Sequence, residues 1–489
     1  MCISDGKKEI LFKCSAKILP MSLEDIAINF NIGSKQIVNH NFANKDSIYD
    51  ISFKNDIIKY CENDALLVVR FLDKIKNSVL GLESLENVYS ISGLALNIFK
   101  KKFNKYNINT RITKDIDILF RPAYYGGRCE VFGNLKYDEC CFHFDFSGMY
   151  TNRLLEYFPH GSYTINYNIN NITNNGFYYI HVFSNIEIPI LPFRDKNKLL
   201  FPNGYFHGLY WGEEILLFIK NGGIIRKIEY GIEFNKTEKI FEEFSKFCNI
   251  SRKKSIYDKI LWKLIPNSFI GRLGIKYDEE ETIIIKDEDY DPHNYDVICD
   301  KKINKNWIVR IKSSFKNENK RYGNVIYPAI VTSKARILWW ESSQAVIKNG
   351  GRILYCDTDS IFAAFKKDKK PLNQKHGEVF WDTSKKDTCL SDACFATSKV
   401  YCISYDNETF FKIKGISKKY IKDFDMISFK KFFEEGNKKI FKTTIFEKKK
   451  LNIKITDINK LIDFSYYDKR IFNKDKTETK PLFYKSYPI

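Results

Sequence analysis

Residues 141–146, Cys-Phe-His-Phe-Asp-Phe, alternate with the period of a strand, placing Phe142, Phe144 and Phe146 on one face and Asp145 on the other. Ser147-Gly148-Met149-Tyr150 then turns the chain into a helix, which sets Asp145 at the carboxyl end of its strand. Downstream, Gly350-Gly351-Arg352-Ile353-Leu354 and Ile361-Phe362-Ala363-Ala364-Phe365 read as two strands framing Tyr355-Cys356-Asp357-Thr358-Asp359-Ser360, so Asp357 and Asp359 sit at a hairpin tip. Helical patterns cover 23–30 with Ser22 as N-cap, 53–77, 85–105 and 252–265. In the last of these Ile256, Ile260, Leu264 and Ile265 recur at helical spacing, and Arg252, Lys259 and Lys263 fall along one basic stripe. Pro266 is expected to kink that helix or end its regular hydrogen bonding. Residues 161–250 read as a mixed insertion rich in Tyr, Asn and Gly. Residues 278–320 read as a second, with an acidic start (Asp278-Glu279-Glu280-Glu281) and a basic end. Beyond residue 410 a Lys- and Phe-rich tail alternates charged and apolar positions, and no internal repeat is evident.

A chain of 489 residues with 44% hydrophobic and 16% aromatic positions buries a large core and divides into several domains. No run of about 18 uncharged apolar residues is present, so no segment is predicted to span a membrane. The first residues have neither the apolar core of a signal peptide nor an Arg/Ser-rich presequence. The chain is therefore expected to act where it is made, or to continue upstream of Met1. The surplus of 79 Lys and Arg over 60 Asp and Glu, a formal +19, calls for a polyanionic partner, most simply nucleic-acid phosphates. Twelve cysteines without a C-x-x-C pair, beside seven histidines, argue for reduced thiols and against zinc.

An Asp-x-Asp by itself is more often a solvated acidic turn than a site. Here it accompanies Asp145 at a strand end and a Lys/Arg helix running into Asn267-Ser268-Phe269-Ile270-Gly271. In-line phosphoryl transfer needs such a set: carboxylates from two elements to clamp two hard cations, and cationic side chains to hold a triphosphate.

These segments resemble the family B DNA polymerases. Asp145-Phe146-Ser147-Gly148-Met149-Tyr150 is similar to motif A, Lys263-Leu264-Ile265-Pro266-Asn267-Ser268-Phe269-Ile270-Gly271 to motif B, and Tyr355-Cys356-Asp357-Thr358-Asp359-Ser360 matches motif C at every position. The order and the two insertions resemble the protein-primed branch of bacteriophages and mitochondrial linear plasmids. So do Tyr124-Tyr125-Gly126-Gly127, like its template-contacting linker; Lys399-Val400-Tyr401, like its primer-holding Lys-x-Tyr; and Leu19-Pro20-Met21-Ser22-Leu23, ahead of the last exonuclease motif.

The resemblance implies an α+β fold: a remnant of a ribonuclease-H-like 3′–5′ exonuclease domain over 1–105, then a right-hand polymerase domain over 106–489. Its parts would be palm (120–160 and 326–400), first insertion (161–250), fingers (251–275), second insertion (276–325) and thumb (401–489). It implies template-directed DNA polymerisation with two Mg2+ ions, Mn2+ being the alternative. Asp145 and Asp359 would be the catalytic metal-binding carboxylates, with Asp357 a weaker contributor. Tyr150 would exclude a 2′-hydroxyl; Lys263, with Arg252 or Lys254, would clamp the triphosphate, and Asn267 would help bind the nucleotide. Tyr124, Gly126, Gly127, Lys399 and Tyr401 would touch DNA. Primer–template DNA, deoxynucleoside triphosphates and a terminal priming protein are the implied partners, and the mitochondrion the implied location, with a viral or cytoplasmic element as the alternative. One insertion would dock the priming protein and the other wrap DNA.

The departures are Ile270 where motif B usually has tyrosine, Gly148-Met149 for Ser-Leu, and Thr151 for proline. Of the exonuclease motifs only Tyr60 and Asp64, with Lys35 as auxiliary, are identifiable, and the first two motifs would lie upstream. One aspartate does not hold two metals, so the chain is expected to polymerise without proofreading. Two other readings stay open: a non-catalytic DNA-binding remnant of such a polymerase, and a reverse transcriptase or RNA polymerase palm.

Overall fold

The computed structural model describes residues 2–4, 9–11, 14–36, 51–276, 280–295, 297–312, 322–368, 390–405, 408–416, 420–421, 424–449, 452–465 and 467–485. Helices and sheets are mixed along the chain, as the α+β reading expects, and they fall into two compact units. Asp278 and Glu279 of the acidic start of the second insertion lie outside the described residues.

The first unit gathers 1–110, 150–158 and 237–275 and is largely helical. The helix Leu23–Phe30 starts where Ser22 predicts: its hydroxyl accepts a hydrogen bond from the Asp25 amide at 3.1 Å. Phe30 packs edge-on against Phe71 of the long helix Ile51–Ser78, at 5.3 Å between centroids. The pattern over 85–105 resolves into a shorter α-helix, Ile91–Ile98, followed by a π-helical turn, Phe99–Phe103. That widened turn brings Phe99 into a cluster with Phe241, Phe244 and Phe269, at centroid separations of 4.7 to 5.7 Å. All four rings are fully buried.

The expected helix over 252–265 is two helices, Glu242–Lys254 and Lys259–Leu273. The break is chemical. The Ser255 hydroxyl accepts from the Asp258 amide at 3.0 Å and bonds its carboxylate, while Trp262 Nε1 donates to Asp258 at 2.9 Å. These local bonds outcompete a continuous backbone ladder. Ile256 consequently lies in the break, 80% exposed, and Arg252 does not share a helix with Lys263. Pro266 does not end the second helix, which runs on to Leu273; buried in its middle, it removes one backbone donor and leaves the remaining turns intact.

The second unit gathers 111–149, 159–236 and 276–489. Its central feature is a four-stranded antiparallel sheet in the order Cys129–Val131, Arg352–Asp357, Ser360–Lys366, Glu139–Asp145. The helix Ile326–Lys348 leads into it and is buried around most of its circumference, Trp339 and Trp340 included. A three-stranded sheet (Asp392–Thr397, Val400–Tyr405, Glu408–Ile413) and a long hairpin (Lys438–Lys449 with Asn452–Asp463) follow.

A five-stranded sheet is formed by Phe158–Asn166, Gly176–Ser184, Asn203–Trp211, Ile224–Glu238 and Phe483–Lys485. Residues 479–485 therefore leave the tail: Thr479 bonds the Phe132 carbonyl, and Phe483–Lys485 pairs in parallel with Asn203–Tyr205. Glu280–Lys286, Asn306–Lys312 and Val297–Ile303 form an antiparallel sheet, next to which Asp287 receives bonds from Lys302 and Trp307.

Phe269→Ala removes the ring at the centre of the four-phenylalanine cluster. It is expected to cost about 3–5 kcal/mol, read as a lowered urea midpoint, whereas Ile256→Ala in the exposed break should change stability by less than about 0.5 kcal/mol.

Candidate active site

Asp145 ends its strand directly across from Ser360, the first residue of the neighbouring strand. One step further the Phe146 amide donates to the Asp359 carbonyl at 2.8 Å, so the backbones of the two aspartate segments are hydrogen-bonded where both leave the sheet. Asp359 is exposed and Asp145 half-buried. Gly148, at φ +66°, then turns the chain into the short helix Met149–Arg153 that carries Tyr150.

Between the aspartates Thr358 adopts φ +61°, a left-handed conformation that costs a β-branched residue energy. It is held by its amide, which donates to the Arg128 carbonyl at 2.7 Å, and by the Asp359 amide reaching back to the Asp357 carbonyl at 2.8 Å. Gly127 makes room for it: a Cβ there would stand 2.7 Å from the Thr358 methyl, whereas one on Gly126 would meet nothing closer than 3.8 Å. The linker residues and the aspartate turn thus form one packed structure.

The Lys-x-Tyr segment joins them. Lys399, itself at φ +62°, donates its amide to the Tyr355 hydroxyl at 3.1 Å and places Nζ 3.4 Å from the Asp357 carboxylate. Tyr401 packs on Tyr355 at 5.2 Å, and Tyr355 stacks on Phe395 at 5.0 Å and 12°. Burial pushes the Tyr401 phenol up to about 12, and burial, aided by Cys129, raises Tyr355 well above its ordinary value, so both stay neutral. Asp357 accordingly has a cation beside it, and Asp359 is the more exposed of the two.

Beneath the turn lies a charged cluster that motif reading misses. Glu130 is fully buried between Arg128, which donates from Nε at 2.9 Å, and Arg470, 3.8 Å away. The Arg128 guanidinium lies 4.3 Å from the Phe201 centroid and 4.8 Å from that of Trp339. Lys469 donates to the Cys129 carbonyl, and the Val131 amide donates to the Tyr467 hydroxyl. A second buried pair, Arg336 with Glu214 at 2.7 Å, holds the linker by donating to the Tyr125 and Gly126 carbonyls at 3.0 and 3.2 Å. The local signal was the i, i+2 spacing of Arg128 and Glu130, which puts opposite charges on one side of an extended segment; Arg336, Glu214 and Arg470 carry no such local mark.

In the first unit, Arg252 and Lys254 close one helix, while Lys263 and Asn267 lie on the next, where Asn267 Nδ2 donates to the Lys263 carbonyl at 3.3 Å. Lys35, Tyr60 and Asp64 do assemble: Lys35 Nζ is 3.5 Å from Asp64 and 5.2 Å from the Tyr60 ring centre. Hydrogen bonding to Tyr60 and the Asp64 charge, opposed by partial burial, raise the Lys35 pKa. Asp64 Oδ1 is buried without a hydrogen-bond partner.

Among the described residues no group of three or more His, Cys, Asp or Glu side chains is arranged to hold a metal. Two aspartates at a turn suit Mg2+ or Mn2+, hard ions that take one or two carboxylates and complete their shell with water and substrate phosphates. Among the described residues no helix is long and apolar enough to cross a membrane.

Residues 4–343 match the model of the family described as DNA polymerase type B, organellar and viral. A probable DNA polymerase of Podospora anserina is 24% identical over 434 residues, covering 79% of this chain and 35% of that protein. The DNA-directed DNA polymerase of Enterobacteria phage PRD1 is 26% identical over 323 residues, 63% of this chain and 53% of the phage protein. The chain spans about a third of the length of the Podospora protein and of a Neurospora intermedia probable DNA polymerase. Phi29 DNA polymerase, in a complex with primer-template DNA and incoming nucleotides, superposes with a TM-score of 0.70 at 18% identity, over 94% of this chain and 82% of that one. The fold is that of a right-hand polymerase, and the chain belongs to the organellar and viral type B DNA polymerases.

Proposed function

We propose that this chain adds deoxynucleotides to a 3′-hydroxyl under the direction of a DNA template, in protein-primed replication of a linear element housed in a mitochondrion or a virus. The observation that carries the reading is the Phe146–Asp359 backbone bond, which fixes the ends of the two aspartate segments together. Family membership supports the reaction class, and the fungal and phage relatives support the setting.

Asp145 and Asp359 would hold Mg2+ or Mn2+, which supplies charge neutralisation for an attacking hydroxyl and a departing pyrophosphate. Asp357 is assigned a lesser part, because Lys399 already offsets its charge. Lys399 and Tyr401 are then suited to seat the primer end, and Tyr124, Gly126 and Gly127 the template. Tyr150 excludes a ribose 2′-hydroxyl. Lys263, Asn267 and the Arg252/Lys254 pair offer cations and an amide to the triphosphate. Lys35, Tyr60 and Asp64 correspond on this reading to one corner of an exonuclease site, and the two insertions serve priming-protein docking and DNA wrapping.

Asp145→Asn and Asp359→Asn should each slow primer extension about a thousandfold while binding of primer–template persists. Asp357→Asn should cost visibly less. Near-normal extension by Asp359→Asn would sink the assignment.

Tyr150→Val should raise ribonucleotide incorporation relative to deoxyribonucleotide in single-turnover assays; an unchanged ratio counts against the sugar gate. Gly127→Ala should lower extension about tenfold or more by displacing Thr358, with Gly126→Ala close to wild type, and equal effects of the two would refute the coupling of linker and turn.

A further inference from the structure

The five-stranded sheet has two unlike faces. Tyr178, Ile180, Val182, Phe206 and Tyr210 are buried. The opposite face presents partly exposed rings in rows across three strands. Phe183 pairs with Tyr205 and His181 with His207, at centroid separations of 4.8 and 5.2 Å. Tyr179 stacks on Tyr230 at 5.5 Å and 17°, and shares a 2.7 Å hydrogen bond with His207 Nδ1. Tyr167, 71% exposed, extends the row beyond Tyr230.

The third strand reaches this arrangement only through two irregularities. Register shifts between Ile225 and Lys227, and again between Ile228 and Tyr230, leave Ile224, Lys227 and Tyr230 opposite Phe183, His181 and Tyr179. A regular strand would turn alternate residues away; each bulge re-aims one side chain, so Lys227 and Tyr230 both come to the ring-bearing face. Arg226, exposed, lies 5.8 and 5.9 Å from the Phe183 and Tyr205 rings. Glu229 is the carboxylate among them, 2.7 Å from Lys227 and 3.0 Å from His181.

We propose that this face is a stacking platform for single-stranded nucleic acid, a site separate from the aspartate turn. The chemistry favours that occupant over a protein. The rings are flat, with polar edges at Tyr hydroxyls and imidazoles, and two cations, Arg226 and Lys227, lie beside them. Tyr, Phe and His rings are the surfaces on which unstacked bases lie, and Arg226 and Lys227 at the margin meet phosphates. Three rows accommodate two or three bases, and since every base has a π-face, recognition is tolerant of sequence.

The test irradiates the full chain with a single-stranded 12-mer of 5-bromodeoxyuridine and maps the adducts by peptide mass spectrometry, with affinity measured in parallel by fluorescence anisotropy. Adducts are expected within 176–184, 203–211 or 224–238. Tyr230→Leu should weaken binding about fivefold or more, Tyr230→Phe should restore it, and Lys227→Glu should reduce the salt dependence by about one phosphate contact. Adducts confined to other segments, with affinity unmoved in Tyr230→Leu and Lys227→Glu, overturn the proposal and leave the face to a protein partner. No nucleotide is added, so a chain that extends no primer but cross-links here would refute the polymerase reading while upholding this one.

Discussion

A single residue in an unfavourable conformation organises the aspartate turn. Thr358 stands at φ +61° between two aspartates, and such a conformation persists only where its surroundings over-determine it. The Arg128 carbonyl takes its amide, Gly127 leaves space for its methyl, and the flanking strands fix both ends. Arg128 is in turn immobilised by Glu130 and the rings of Phe201 and Trp339. Breaking a buried ion pair by deleting one partner costs several kcal/mol, so this foundation resists displacement even where the ions add little net stability. Rigidity, more than attraction, is what the cluster contributes to the aspartate turn.

Asp357 and Asp359 illustrate how an identical chemical group acquires different character from position alone. They are two residues apart, yet one is half-buried with the Lys399 ammonium 3.4 Å away and the other is exposed. Lys399 owes that placement to its own left-handed backbone and to the Tyr355 hydroxyl that receives its amide. The phenols of Tyr355 and Tyr401, kept neutral by burial, lie near enough to Asp357 to feel its charge.

Much of this was legible in the sequence, because the relevant signals are local. The alternation over 141–146, the apolar flanks of the aspartate hairpin and the Ser22 cap each depend on neighbours within a few residues, and each appears where expected. The helix break at 255–258 was local too but masked, since Ile256, Ile260 and Leu264 imitate a continuous apolar stripe while the Ser255–Asp258 bonds decide otherwise. Pro266 shows that tertiary burial overrides a breaker. What could not be read was set at long range: Arg470 beneath the turn, Arg336 holding the linker, and the double bulge that brings Tyr230 beside Tyr179.

The strand 129–131 is completed by residues more than three hundred positions away: Tyr467 bonds the Val131 amide at a separation of 336, Lys469 the Cys129 carbonyl at 340, and Thr479 the Val131 carbonyl at 348. During synthesis at about 5–20 residues per second, roughly 17 to 70 s pass between the emergence of the two sides of this contact. Over that interval Glu130 has no Arg470, and the Val131 amide and carbonyl no Tyr467 or Thr479. Completion of the outer strand of the central sheet is therefore a late event of biogenesis, resting on contacts of high sequence separation. A nascent chain of this kind carries the edge of strand 129–131 without these partners until the segment near residue 470 has emerged, so a lesion there is expected to lower the yield of folded protein.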